Sequence, residues 1–196
     1  MRKVRLPERL VARAGDAGRR LRRLAAHDGT LTIFFSDIED STALNHQLGD
    51  QTWLEILGAH DQIVRACAGK YGGHVVKSRG DGFMIAFASA SDAIRSAIEV
   101  QRVLASEPRR FRGTTITVRI GVHTGPALEK GGDLFGRNVA LAARVADQAR
   151  GGEILVTAEA SEASEADDLV FTDPREVELK GLPGSHPLVA VGWQCA

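Results

Sequence analysis

Apolar positions along this chain alternate between two periods, and the switches between them divide it into strands and helices. "TLTIFFS" (30–36) is rich in β-branched and aromatic residues and reads as a buried strand. "QTWLEILGAHDQIVRACAGKYGG" (51–73) carries apolar residues at helical spacing and closes on Gly72-Gly73. "HVVKS" (74–78) and "FMIAFA" (83–88) then form a hairpin about the turn "RGDG". "SASDAIRSAIEVQRVLASEP" (89–108) gives a second long helix that stops at Pro108. "TTITVRIGVHTG" (114–125) is a strand, "EKGGDLFG" (129–136) a Gly-rich loop, and "NVALAARVADQAR" (138–150) a helix stopped by Gly151-Gly152. "EILVT" (153–157) follows as a strand, and residues 175–193 read as two strands about a Gly/Pro turn.

The order β-α-β-β-α-β, with additions at the C-terminal end, predicts an α+β ferredoxin-like sandwich. That fold is one mostly antiparallel sheet with helices packed on one face. Residues 29–196 are expected to form a single domain, since no internal repeat or low-complexity tract divides them. Residues 1–28 stand apart as a basic helical segment. Leu6, Leu10, Leu21 and Leu24 lie at roughly helical intervals, but Gly15 and Gly18 interrupt them, which predicts a broken helix. Three readings of the segment stay open: a solvated lead-in, a dimer-forming or upstream-coupling element, and an interfacial membrane helix with a narrow apolar face.

Composition changes this picture little. The chain has 196 residues, 43% of them hydrophobic, and 25 basic residues balance 25 acidic ones. No global charge excess points to a nucleic-acid partner, although residues 1–26 carry a local excess of arginine, including Arg2, Arg5, Arg19, Arg20, Arg22 and Arg23. Cys67 and Cys195 form neither a CxxC motif nor a cluster with histidine, which fits a reducing cytoplasm. No apolar run is long enough for a transmembrane helix, so a soluble protein with no membrane span is expected. The six histidines show no ligand spacing and are assigned no chemistry.

The candidate chemistry begins where "TIFFS" runs into Asp37, Glu39 and Asp40. In a split β-α-β-β-α-β sheet the first strand neighbours the hairpin, so Asp37 and Asp81 of "RGDG" are expected to face each other. Two ionised carboxylates at close range repel, and a divalent cation between them resolves the conflict. Hard oxygen ligands of this kind suit Mg²⁺ or Mn²⁺. Taken singly, either aspartate is an ordinary turn or capping residue.

"FFSDIEDST", "VVKSRGDGFMIAF", "VRIGVHTG", "DLFGRNVALAARV" and "ELKGL" together resemble, in order and spacing, the catalytic domains of class III nucleotidyl cyclases over residues 30–193. The resemblance implies two metal ions per active site, Mg²⁺ or Mn²⁺, on Asp37, Asp81 and the backbone carbonyl of Ile38. It also implies that one ion activates the ribose 3′-hydroxyl for attack on the α-phosphate while the other holds the triphosphate. The N–H groups and hydroxyls at Ser41 and Thr42, opening a helix, would hold phosphate oxygens. Lys77 and Asp133 match the family's adenine-reading pair, which implies ATP as substrate and cyclic AMP and pyrophosphate as products. Arg144 matches the arginine that stabilises the transition-state phosphoryl, and Lys180 the triphosphate-binding lysine. Because both half-sites occur in this one chain, the resemblance implies a head-to-tail homodimer with composite sites.

The chain departs from the family pattern at three positions. Ala140 replaces the ribose-orienting Asn of "VNxAAR", and Asn138 lies about 200° around the helix from it. Asp40 stands where the family commonly has Gly, and Pro126 where some members carry a phosphate-binding Arg. These departures predict a slow adenylate cyclase, and they motivate an alternative: a degenerate cyclase domain that binds nucleotide, or only dimerises, and regulates a partner.

Overall fold

The computed structural model describes residues 8–172 and 174–194. Cys195 and the basic residues Arg2, Lys3 and Arg5, with Leu6, lie outside them. The expected core is present in the expected order. β1 (Thr30–Ile38) leads through α2 (Ser41–Leu48) and α3 (Asp50–Lys70) to the hairpin β2 (His74–Arg79) and β3 (Gly82–Phe87). α4 (Ala90–Ser106) then returns the chain to β4 (Val118–Pro126). The four strands lie in the order β2-β3-β1-β4, with β1 antiparallel to both of its neighbours.

Beyond this core the sheet is extended and one added strand is parallel. After β4 come a short hairpin, β5 (Leu128–Lys130) and β6 (Asp133–Phe135), and the helix α5 (Arg137–Gln148). β7 (Ile154–Thr157) then pairs parallel to β4. The short α6 (Ala158–Glu162) and β8 (Val170–Phe171) precede β9 (Arg175–Glu178) and β10 (Ser185–Gly192); β10 pairs with β7, and β8 and β9 pair with β10 at the other edge. The segment 129–136, expected as a loop, is thus largely a two-stranded hairpin. Its strands are three residues each, too short for an alternating pattern to show.

Helices cover both faces of the sheet, not one as expected. Consecutive strand residues point to opposite faces, and in β1 both Ile33 and Phe34 are fully buried. A strand apolar on both sides needs a cover on both sides. On one face α3 and α4 bury Trp53, Ile56, Ile63, Val64, Ile94 and Ala97 against Phe34, Ile85 and Phe87. On the other lies α5, so close to β4 that a Cβ at Gly121 would sit 2.2 Å from the Ala146 backbone nitrogen. Glycine at 121 is what permits this approach, and it sets the height of α5 over the sheet.

The basic segment shares this second face. α1 (Glu8–Leu24) is one uninterrupted helix through Gly15 and Gly18, where a break was expected. A helical glycine costs about 1 kcal/mol relative to alanine, and burial at the C-terminal end of α1 offsets it. Leu21 is 1% exposed and clusters with Leu31, Ile33, Met84, Ala86, Leu134 and Ala142. Among the described residues no helix is long and apolar enough to cross a membrane.

If α1 is part of the folded unit, Leu21→Ala leaves a cavity under the sheet. It should cost about 2–4 kcal/mol, read as a lower urea midpoint with an unchanged m-value. A midpoint equal to that of the parent would show that the helix is not packed in solution.

Candidate active site

The sheet order brings the end of β1 beside the β2–β3 turn. Asp37 is near the end of β1, Gly82 begins β3, and a Cβ built on Gly82 would lie 3.7 Å from Asp37 Oδ1. Asp81, in the two-residue turn Gly80-Asp81, therefore stands next to Asp37 as the sequence predicted. Partial burial pushes the Asp37 carboxyl above its ordinary range, and the Asp81 charge adds to the rise.

One cation opposes that shift. Arg119 is paired with Asp37 in the β1–β4 register and donates from Nη2 to Asp37 Oδ2 at 2.5 Å. Among the described residues no cation pairs with Asp81, and its buried Oδ2 has no hydrogen-bond partner. An orphaned carboxylate oxygen facing a second carboxylate is the donor set a hard divalent cation requires, so the residues fit Mg²⁺ or Mn²⁺. No group of three or more His, Cys, Asp or Glu side chains is gathered for a metal among the described residues. Two carboxylates and the Ile38 carbonyl would leave further coordination positions to other oxygens.

Lys77 and Asp133, 56 residues apart, meet in space: Lys77 Nζ donates to Asp133 Oδ1 at 3.0 Å and to Oδ2 at 2.8 Å. Lys77 stands on β2 and Asp133 opens β6, both partly exposed. Asp37 and Lys77 line one open cleft of about 370 Å³, together with Phe35, Met84, Ala143 and Asp147. Arg144 lies on the exposed side of α5, where Nη1 donates to Asp147 Oδ2 at 2.7 Å. Ala140 is exposed four residues earlier on the same helix face. Lys180 is exposed in the turn after β9. Among the described residues, no hydrogen bond or ion pair joins Arg144 or Lys180 to Asp37 or Asp81 within the chain.

Ser41 and Thr42 open α2 as expected, and the preceding Asp40 adopts φ 54° and ψ 28°. A left-handed backbone at 40 explains the family preference for Gly at that position. The Asp40 side chain is exposed and caps nothing, which leaves the first-turn N–H groups of α2 without a side-chain acceptor from it. Asn138 is committed elsewhere: Oδ1 lies 3.1 Å from buried His123 Nε2, and Nδ2 donates to the Pro126 carbonyl at 2.8 Å. It cannot replace the missing Asn at 140.

Sequence reasoning missed three residues that shape the site. Arg119 was hidden in an apolar strand, and only the β1–β4 register reveals its partner. Glu39, without an assigned role, braces the site: Oε1 accepts from the Gly151 N–H at 2.8 Å, and its own N–H donates to the Thr117 carbonyl at 2.9 Å. His60 of α3 is 1% exposed, with its ring 5.7 Å from that of Phe83 and Nε2 unpaired. Its spacing with Ile56, Ile63 and Val64 marks it as a core position, which was the available signal.

Known proteins resemble this chain over most of its length. The family model for the adenylate and guanylate cyclase catalytic domain matches residues 25–190. The chain is 30% identical over 200 residues to receptor-type adenylate cyclase A of Leishmania donovani, across 80% of this chain and 14% of that protein. It is 30% identical over 162 residues to an uncharacterized protein of Mycobacterium bovis, across 82% of this chain and 52% of that one. The chain thus spans only part of these relatives. Among solved structures, an adenylate cyclase of Trypanosoma brucei in its monomeric state aligns with a TM-score of 0.75 at 26% identity, covering 85% of this chain and 89% of that one. The adenylyl cyclase CyaB from P. aeruginosa aligns with a TM-score of 0.75 at 25% identity, covering 83% of this chain and 93% of that one. The guanylyl cyclase Cya2, at 21% identity, shares the fold with a TM-score of 0.75, covering 83% of this chain and 91% of that one.

Burial lowers the His60 pKa from 6.5 to about 4, outweighing the opposing Asp81 charge. His60 is therefore neutral in the fold and protonates first in the unfolded chain, so its contribution is complete above pH 6.5 and is lost as pH falls toward 4. The loss amounts to about 3 kcal/mol. Urea titrations across that window should show the decline, and His60→Leu should flatten it; an unchanged slope would mean that His60 is solvated.

Proposed function

The chain belongs to the family of adenylate and guanylate cyclase catalytic domains, and from that premise we propose that it is an adenylate cyclase. It would convert ATP to 3′,5′-cyclic AMP and pyrophosphate in a head-to-tail homodimer, in a cytoplasmic setting. The observation that carries the choice of base is the Lys77–Asp133 contact, with Nζ 3.0 and 2.8 Å from the two carboxylate oxygens. Adenine offers an acceptor at N1 and a donor at its 6-amino group, which this donor–acceptor pair matches. Guanine reverses both, leaving like groups opposed and unpaired, a mismatch that costs several kcal/mol at a desolvated site. Parting the free pair to admit the base costs little, because both groups are partly solvated.

Asp37, the Ile38 carbonyl and Asp81 are the residues to hold two Mg²⁺ or Mn²⁺ ions, which when bound supply Lewis acidity toward the ribose 3′-hydroxyl and the triphosphate. Arg119 occupies Asp37 Oδ2 and leaves Oδ1 to face the Asp81 side. The first turn of α2, with Ser41 and Thr42, holds β- and γ-phosphate oxygens through N–H and hydroxyl donors. Arg144 leaves Asp147 to donate to the transferring phosphoryl; an exposed i,i+3 pair is worth only a few tenths of a kcal/mol, so release is easy. Lys180 adds positive charge at the triphosphate. Among the described residues neither Arg144 nor Lys180 is bonded to Asp37 or Asp81 within the chain, which is compatible with a site completed by a second protomer.

Ala140 favours a second reading, a nucleotide-binding regulatory domain with little turnover, because its exposed methyl offers no hydrogen bond to ribose. An assay with ATP or GTP and Mn²⁺ separates the two. The parent should form cyclic AMP in preference to cyclic GMP, Asp81→Ala should lose about 10²-fold or more, and Ala140→Asn should gain about tenfold. Parent and Asp81→Ala equally silent, with nucleotide still bound, would sink the enzyme reading.

A further inference from the structure

Asp133 follows directly on a two-residue turn, Gly131-Gly132, with φ of 65° and 84°. Left-handed angles at both positions make a type I′ hairpin turn. Two adjacent glycines also leave it with large backbone freedom, which strands of three residues restrain only weakly. One side chain reaches back across the turn. Glu129 Oε1 accepts from the Gly132 N–H at 2.9 Å, and its Oε2 is ion-paired with Arg22 of α1.

The helix is shaped to receive that carboxylate. A Cβ at Gly18 would fall 2.6 Å from Glu129 Oε1, so any larger residue would push Glu129 from its present position. Beneath the pair, Leu134 of β6 is 2% exposed and shares a buried cluster with Leu21. The Glu129 side chain is only 15% exposed whereas Arg22 is 60% exposed, so the carboxylate is shielded at its turn end and the pair is solvated on the helix side.

Resting on the assignment of Lys77 and Asp133 as the base-reading pair, we propose that Glu129, clamped by Arg22 of the basic helix, is a positioning residue for base selection. It fixes the Gly131-Gly132 turn and so holds Asp133 opposite Lys77. The helix α1 is then part of the specificity apparatus: drawing it away withdraws Arg22, loosens the turn and blunts discrimination between ATP and GTP. Glu129 touches neither base nor phosphate in this scheme and acts through Asp133 alone.

The test measures equilibrium binding of non-hydrolysable ATP and GTP analogues with Mn²⁺ to the full chain, so slow turnover does not enter. Glu129→Ala should lower the ATP-over-GTP affinity ratio about tenfold and speed amide hydrogen exchange at Gly132. Glu129→Gln, which keeps an acceptor for that amide but loses the charge that holds Arg22, should lower the ratio by less than Glu129→Ala. Gly18→Ala, with both charges present, should move the ratio in the same direction as Glu129→Ala. In an Asp133→Ala background Glu129→Ala should change the ratio no further. If Asp133→Ala loses the preference and Glu129→Ala keeps it, the positioning role is overturned while the base-reading pair stands. If Asp133→Ala itself keeps the preference, the base-reading assignment fails and the positioning role fails with it.

Discussion

Two carboxylates and one guanidinium at the end of β1 set the terms for the rest of this molecule. Asp37 is pressed toward Asp81 by the pairing of β1 with β3, and held from the other side by Arg119 through the pairing of β1 with β4. Arg119 answers one of the two negative charges, and the buried Asp81 oxygen is left without a partner. Folding thus builds a site whose electrostatics are unfinished, and a divalent cation with phosphate oxygens would finish it. The surroundings keep the pair in place: Glu39 ties the following loop to Gly151, and His60 packs behind Phe83.

The second half of the site depends on a different kind of order. Lys77 projects from a sheet strand, whereas Asp133 belongs to a small hairpin outside the sheet. That hairpin is tied to the rest of the fold by Glu129 of β5 and Arg22 of α1. The basic helix that appeared detachable by charge is bound to the fold by Leu21 and to the hairpin by Arg22. Helix α1, the hairpin and Asp133 are joined by these contacts into one unit, distinct from the strand end that carries Asp37.

Much of this was legible beforehand where local pattern and topology agreed. The β-α-β-β-α-β order was written in the apolar periods, and it alone placed Asp37 near Asp81. The meeting of Lys77 with Asp133 came from family resemblance, because no periodicity links residues so far apart. Arg119 was invisible as a partner, since pairing register is set by tertiary packing and a slip of one residue would turn it to the other face. Gly15 and Gly18 read as helix breakers, yet Gly18 makes room for Glu129 at the helix surface. The backbone at Asp40 is left-handed, a conformation glycine adopts without strain, and its side chain is exposed and caps no helix N–H.

The unfinished charge balance at Asp37 and Asp81 is tested most directly by titrating Mn²⁺ into the protein with a non-hydrolysable ATP analogue and counting bound ions by electron paramagnetic resonance. The account predicts saturable binding by the parent, with loss of bound Mn²⁺ in both Asp37→Asn and Asp81→Asn while the fold is retained. Equal Mn²⁺ binding by the parent and the two variants would contradict it.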